Sequence, residues 1–222
     1  DVKPVYVVAQ HESYKVDRTT TAARTDTPIM ETPYSVQVIP QQLLRDQQAV
    51  RLETALQNVS GVTRFDGSID GQDGYLIRGF ETTAHYRNGV LRTNNHLVDT
   101  ANIERVEVLK GPASILYGRA DPGGIINVVT KQPQATPYYS FQQQIGSYHF
   151  FRTTGDATGP LTKDGSLLYR FNLAYENSES FRDFVDRKTI FFAPVVKWNV
   201  SPRTQITAEM EYHNINTKSD GL

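Results

Sequence analysis

From Leu167 to Tyr175 every second residue is apolar: Leu167, Tyr169, Phe171, Leu173 and Tyr175. Arg170, Asn172 and Glu176 share the other parity with Leu168 and Ala174. A period of two predicts a strand with one apolar and one mostly polar face. Ile190, Phe192, Pro194, Val196 and Trp198 repeat the pattern, with Lys197 and Asn199 opposed. Thr204, Ile206, Ala208, Met210 and Tyr212 face away from Gln205, Thr207, Glu209, Glu211 and His213. Phe151, Thr153, Gly155 and Ala157 oppose Arg152, Thr154, Asp156 and Thr158, and Tyr139, Phe141, Gln143 and Ile145 make a weaker first member. These are five segments of about ten residues, the length of a tilted strand that crosses a bilayer. Leu161–Gly165 and Ser201–Arg203 read as tight turns, whereas Asn177–Lys188 is longer and charged. Short turns on one side and longer polar loops on the other fit an outer-membrane barrel. A soluble antiparallel sandwich alternates too, and periodicity alone leaves both open.

The chain before about Pro137 has a different grammar. Ser35–Ile39 alternates and is β-branched, predicting a strand. Pro40 then suits the first turn of a helix over Gln41–Asp46. Ala49 to Gln57 sets Ala49, Val50, Leu52, Ala55 and Leu56 on a helical stripe that Gly61 ends. Tyr75–Ile77, His85–Arg87 and Arg105–Leu109 read as strands, and Ile125–Thr130 as a continuous apolar one. Mixed strands and helices predict a small α+β unit around one core.

Composition removes several classes. With 23 Lys and Arg against 24 Asp and Glu, the net charge of -1 gives no global field for steering nucleic acid. The longest apolar run falls far short of the roughly 20 residues of a membrane helix. Cysteine is absent, which removes disulfides, thiolate zinc sites and thiol catalysis. Ser, His and Asp occur, but no GxSxG elbow supports a hydrolase. The five histidines show no HExxH or paired metal spacing. Asp1–Lys3 does not open a signal peptide, as in a processed chain. An abundance of Tyr and Phe on the apolar face, with Arg, Lys, Glu and Asn opposite, favours a barrel with a polar lumen.

The stretch Arg105-Val-Glu-Val-Leu-Lys-Gly-Pro-Ala-Ser-Ile-Leu-Tyr-Gly118, followed by Pro122-Gly-Gly-Ile-Ile-Asn-Val-Val-Thr-Lys131, resembles the signature of the plug domain of TonB-dependent outer-membrane receptors. Three further pieces stand in the expected order: Thr25–Pro28 with Pro33–Ile39, Ala55–Val62, and Ile77–Phe80 with Arg87–Val90. The match runs from about Thr25 to Pro133, and in style it is nearest the receptors for ferric hydroxamates of the ferrichrome type. Gly111-Pro112 can end a strand and preset a short helix at Ala113–Leu116. A phosphate-cradling loop is excluded, because Arg119-Ala120 follows Gly118 where that motif needs Lys and Ser or Thr.

The resemblance implies an α+β plug followed by antiparallel transmembrane β-barrel strands, the N-terminal part of a barrel of about 22 strands. The expected division is a TonB-box segment and linker over 1–24, the plug over 25–137, and the first five barrel strands over 138–222. It implies a non-enzymatic receptor of the bacterial outer membrane, set in lipid, that takes up a ferric siderophore with energy delivered through TonB. Cobalamin, haem or another metal chelate stays open as the ligand. The TonB box falls on Val5, Tyr6, Val7, Val8 and Ala9, a β-branched segment suited to strand addition. Arg78 and Lys110 fall where basic residues of such receptors lock plug to barrel through two glutamates, here expected beyond Leu222. Lys110 departs from the arginine often found there, which removes bidentate geometry. By position, Arg64, His85, Arg92, Asn95, His96 and Leu97 are nominated for the ligand-facing loops, where Arg, His and Asn suit an oxygen-rich chelate. The iron arrives already chelated, so no protein ligands to metal and no bound cofactor are expected. Five strands cannot close a barrel, and open edges in a bilayer are not viable, so the chain is expected to be a portion of a longer receptor. The rival from another class is a soluble ligand-binding or adhesion module.

Overall fold

The computed structural model describes residues 14–65, 74–82, 85–92, 97–112, 114–118, 120–182 and 184–218. Two sheets organise the chain. The first is mixed and five-stranded, in the order Ser35–Pro40, Ile103–Lys110, Gly124–Thr130, His85–Arg87, Val90–Arg92. Its Gly124–Thr130 strand runs antiparallel to Ile103–Lys110 and parallel to His85–Arg87. Val62–Arg64, Tyr75–Ile77 and Phe80–Thr82 form a separate three-stranded meander.

Alternation along Ile103–Lys110 sorts its side chains to two faces. Val106 and Val108 join Ile39, Leu44, Leu52, Leu56, Ile77 and Ile126 beneath the helices Gln41–Asp46 and Leu52–Leu56. Leu109 turns the other way, onto Tyr86, Tyr117 and Ile125. The expected single core is therefore two clusters on opposite faces of one sheet. The helix expected over Ala49–Gln57 starts only at Leu52, because Arg51 is extended and bridges Asp99. The short helix after Gly111-Pro112 is Ser114–Tyr117. Gly124 has φ +141°, and a Cβ there would stand 2.1 Å from the Leu109 carbonyl oxygen, so the hairpin closes only around glycine.

The second sheet is an antiparallel meander of Tyr138–Ile145, Phe151–Pro160, Leu167–Glu179 and Asp186–Ser201, joined by Thr204–Glu209 and Tyr212–Lys218. The last two segments both pair with Asp186–Ser201, at its two ends, so together they are one long fifth strand. The ladder breaks between them opposite Pro194, which has no N–H to donate. The five alternating segments read from sequence are these five strands.

Its faces are inverted relative to a soluble sheet. Phe171, Leu173 and Tyr175 are exposed, as are Ile190, Phe192, Trp198, Phe141 and Ile206. Arg152, Asp156, Arg170, Asn172 and Glu176 are buried on the opposite face, against the N-terminal half. Ile190 to Trp198 is eight residue steps, roughly 20 Å along the membrane normal once tilted by about 40°. Burying the polar face and presenting the aromatic one is unfavourable in water and favourable in hydrocarbon. This arrangement removes the sandwich reading, in which the aromatic face would be covered.

Candidate functional site

The polar face of the meander meets the N-terminal half through three charged groups of residues. In the first, Arg152 donates through both Nη atoms to Asp99, at 2.6 and 2.9 Å, and through Nη1 to Glu176 at 3.0 Å. Arg51 completes it, 2.5 Å from Glu176 and 3.9 Å from Asp99. Two guanidinium groups and two carboxylates thus neutralise one another in a buried seam, the condition under which buried charge is tolerated. In the second, the Lys131 ammonium lies 3.0 Å from Asp156, which also receives Arg170 at 2.8 and 2.9 Å. Lys131 also donates to the Ala101 carbonyl at 2.7 Å. Burial pushes the Lys131 pKa down, and Asp156 offsets only part of that. In the third, Arg87 and Arg92 converge on Glu211, Arg92 at 3.2 Å, and Asn88 donates to Glu209 at 3.2 Å.

The hairpin that supplies the third group is set by its turn. Asn88 and Gly89 both have positive φ, 49° and 79°, as a two-residue turn with primed geometry requires. Asn88 then reaches Thr130 through both side-chain atoms, at 2.8 and 3.0 Å. Arg78 and Gly79 repeat this geometry, with φ of 53° and 84°, between Ile77 and Phe80.

The residues nominated for the ligand-facing loops are not gathered into one described site. Arg64 ends a strand and is ion-paired with Glu53 at 3.1 Å, on the surface. Arg92 is the last residue of a strand and is held by Glu211. Leu97 is half-buried. Asn95 and His96 lie outside the described residues, as do Val5–Ala9. His85 is not on an open loop. It begins a strand, is 2% exposed, and packs 5.6 Å from the Tyr75 ring. Burial, with the positive charge of Arg92 opposite, lowers its pKa to about 4, so it is neutral at pH 7. A buried neutral imidazole beneath the strand surface cannot meet an external chelate without displacement of the strand.

Arg78 and Lys110 are brought together. A Cβ on Gly111, the residue after Lys110, would stand 3.4 Å from Arg78 Nη1. Lys110 donates to Gln37 Oε1 at 3.1 Å and Ser60 Oγ at 3.0 Å. Its pKa is lowered by burial and by the charge of Arg78. Neither of these Lys110 partners is a carboxylate, and Arg78 is exposed at its turn.

The sequence reading missed the residues that join the two halves: Arg51, Asp99, Arg152, Glu176, Lys131, Asp156, Arg170, Arg87 and Glu211. The available signal was the charge on the polar parity of the wall strands, read only as a polar lumen. It also missed Glu107, which is fully buried and accepts from Thr19 Oγ1 at 2.5 Å, Thr21 N at 2.8 Å and Arg105 Nε at 2.6 Å. Burial works to raise this carboxyl, and the bonds from Thr19, Thr21 and Arg105 outweigh it, so its pKa lies below the ordinary value.

Comparison with known proteins places this architecture. Residues 28–125 match the family described as TonB-dependent Receptor Plug Domain. The metal-pseudopaline receptor CntO of Pseudomonas aeruginosa is 43% identical over 203 residues, covering 90% of this chain and 29% of that protein. The ferrichrome outer membrane transporter/phage receptor of Escherichia coli is 29% identical, covering 87% of this chain and 27% of its own. The crystal structure of the ferripyoverdine receptor of Pseudomonas aeruginosa superimposes with a TM-score of 0.88 at 28% identity, covering 94% of this chain and 29% of that one. The chain therefore spans less than a third of the length of these relatives.

Proposed function

Because this chain belongs to the TonB-dependent receptors, carrying their plug domain and the strands that follow it, we propose that the whole protein is an outer-membrane receptor that takes up a ferric siderophore. The observation that carries this reading is the inverted sheet, aromatic outward and charged inward, whose charged face is filled by the plug. Such a wall sits in lipid and encloses a plugged lumen. The unit over 25–137 serves as the plug, with Thr19–Thr21 of the expected linker buried against it, and the strands over 138–222 open the barrel. The relatives named above are receptors and transporters, which supports a transport role rather than catalysis.

Energy enters through TonB gripping Val5–Ala9 by strand addition. Arg64, Arg92, Asn95, His96 and Leu97 contribute to the ligand face, with Arg64 and Arg92 available to it only by exchanging their present carboxylate partners. Arg78 and Lys110 await glutamates of later barrel strands. The iron stays in its chelate throughout.

The test uses the full-length protein in cells. Deleting Val5–Ala9 should leave binding of the radioiron-loaded chelate unchanged and abolish its uptake. Uptake that survives the deletion would sink the TonB-box assignment. A second reading is favoured by the 43% identity to a protein described as a metal-pseudopaline receptor: the cargo is a metal chelate other than a ferric hydroxamate. Competition between ferrichrome, pyoverdine and metal-loaded pseudopaline for uptake decides between the two.

A further inference from the structure

Within the apolar run Ile125-Ile126-Asn127-Val128-Val129, a single side chain is polar, and it is 2% exposed. A buried amide is costly unless each of its groups is bonded. Asn127 lies directly across the ladder from Glu107. Its Nδ2 donates to Thr21 Oγ1 at 2.8 Å, and its Oδ1 accepts from the Gly89 amide at 3.0 Å. A backbone amide can only donate, so the oxygen must face Gly89 and the orientation of the amide is settled. One side chain thus holds two segments that are otherwise far apart in sequence.

The first segment is Thr19–Thr21, whose Thr19 and Thr21 are fully buried and bonded to Glu107. Among the described residues it is the first that is buried. The second is the Asn88-Gly89 turn of the hairpin whose Arg87 and Arg92 hold Glu211 of the wall, and whose last residue leads into residues 93–96. We propose that Asn127 is the positioning residue that couples the N-terminal segment to this hairpin, so that displacement of either is felt by the other. The proposal rests on the TonB-energised reading for its purpose, but not for its physics. Release of Thr21 frees the Nδ2 end of the amide, and the Gly89 bond then loses the partner that orients it. Coupling of this kind is reciprocal: a hairpin shifted from outside loosens Thr21 as surely as a pull on Thr21 loosens the hairpin.

The experiment is amide hydrogen exchange in the full-length receptor, with no ligand present. Thr21→Val removes the hydroxyl that Asn127 bonds and does not touch Gly89. It should raise exchange at Gly89 by about five- to tenfold, the size of a modest coupling energy. In an Asn127→Ala background, exchange at Gly89 should already be raised, and adding Thr21→Val should change it no further. Glu107→Gln should loosen Thr20 and Thr21 while moving Gly89 less than Thr21→Val does. Unchanged exchange at Gly89 in Thr21→Val overturns the proposal, and this mild variant decides the matter even if Asn127→Ala fails to fold.

A second readout is uptake of radioiron carried by ferrichrome or pyoverdine, whichever the wild type takes up. Asn127→Ala should reduce uptake severalfold at unchanged affinity, and wild-type uptake in that variant refutes the coupling role. If deletion of Val5–Ala9 leaves uptake intact while Gly89 still responds to Thr21→Val, the TonB-box assignment fails and the coupling stands.

Discussion

The two sheets of this chain sort their apolar and polar side chains in opposite ways. In the plug sheet, Val106, Val108, Ile126 and Val128 go inward, and each side-chain polar atom of the buried Glu107 and Asn127 has a partner. In the barrel sheet the apolar parity is the exposed one, and Arg152, Asp156, Arg170 and Glu176 are the interior. The plug holds its core by burial of apolar area. The wall is built for lipid, so its interior must be held by matched charge. Alternation reveals that a strand has two faces, and the surrounding medium decides which face is inside.

If the wall is held by matched charge, removing one member of its buried seam should be the most damaging change. Asp99→Ala leaves Arg152 and Arg51 short of a carboxylate in a buried site. We expect a loss of about 3–5 kcal/mol, read as the shift in denaturant midpoint of the full-length receptor in detergent. A loss below about 1 kcal/mol would mean that water reaches this seam and the charges are solvated.

Reversing the outer face tests the other half of the comparison. Phe171→Arg places a cation at the middle of the exposed stripe, where lipid-facing charge costs about 2–4 kcal/mol at the bilayer midplane. The variant should fold poorly into vesicles. Equal stability to the wild type there would place that face in water.

The plug should answer to pH through His85. Its folded pKa of about 4 lies below the ordinary 6.5, so between those values the unfolded chain binds the extra proton. Stability contributed by the neutral imidazole is complete above about pH 6.5, falls as the pH drops toward 4, and is constant below that. A shift of this size corresponds to roughly 3 kcal/mol at most. Unfolding midpoints at pH 7 and pH 5 should differ in the wild type and converge in His85→Gln. An unchanged slope in that variant would assign the dependence to other groups.

The smallest effect belongs to the surface. Arg64→Ala breaks only the exposed pair with Glu53, worth under about 1 kcal/mol. The same variant is informative for function, since a fall in chelate affinity without a fall in stability would place Arg64 on the ligand face.

The elements were legible because they are local. Gln41–Asp46 follows a proline suited to a helix start, Asn88-Gly89 carries its turn geometry in its residue types, and five wall strands follow from period-two runs. The joint between plug and wall was not legible. Arg152 meets Asp99 across 53 residues and Arg51 meets Glu176 across 125, and no periodic signal links such positions. His85 shows the same limit at one residue. Its strand was legible, but its nomination for a ligand-facing loop was not met, because the packing of that strand against Tyr75 turns it inward.

By itself the sequence determined the order of the elements, the turn chemistry, the resemblance to a plug and the existence of a two-faced wall, because each depends on neighbours along the chain. The tertiary structure alone decided which charges neutralise one another, and that Asn127 is shared between Thr21 and Gly89. Those outcomes depend on groups that meet only when distant segments fold together, and their energies arise from desolvation, which a sequence does not display until burial is known.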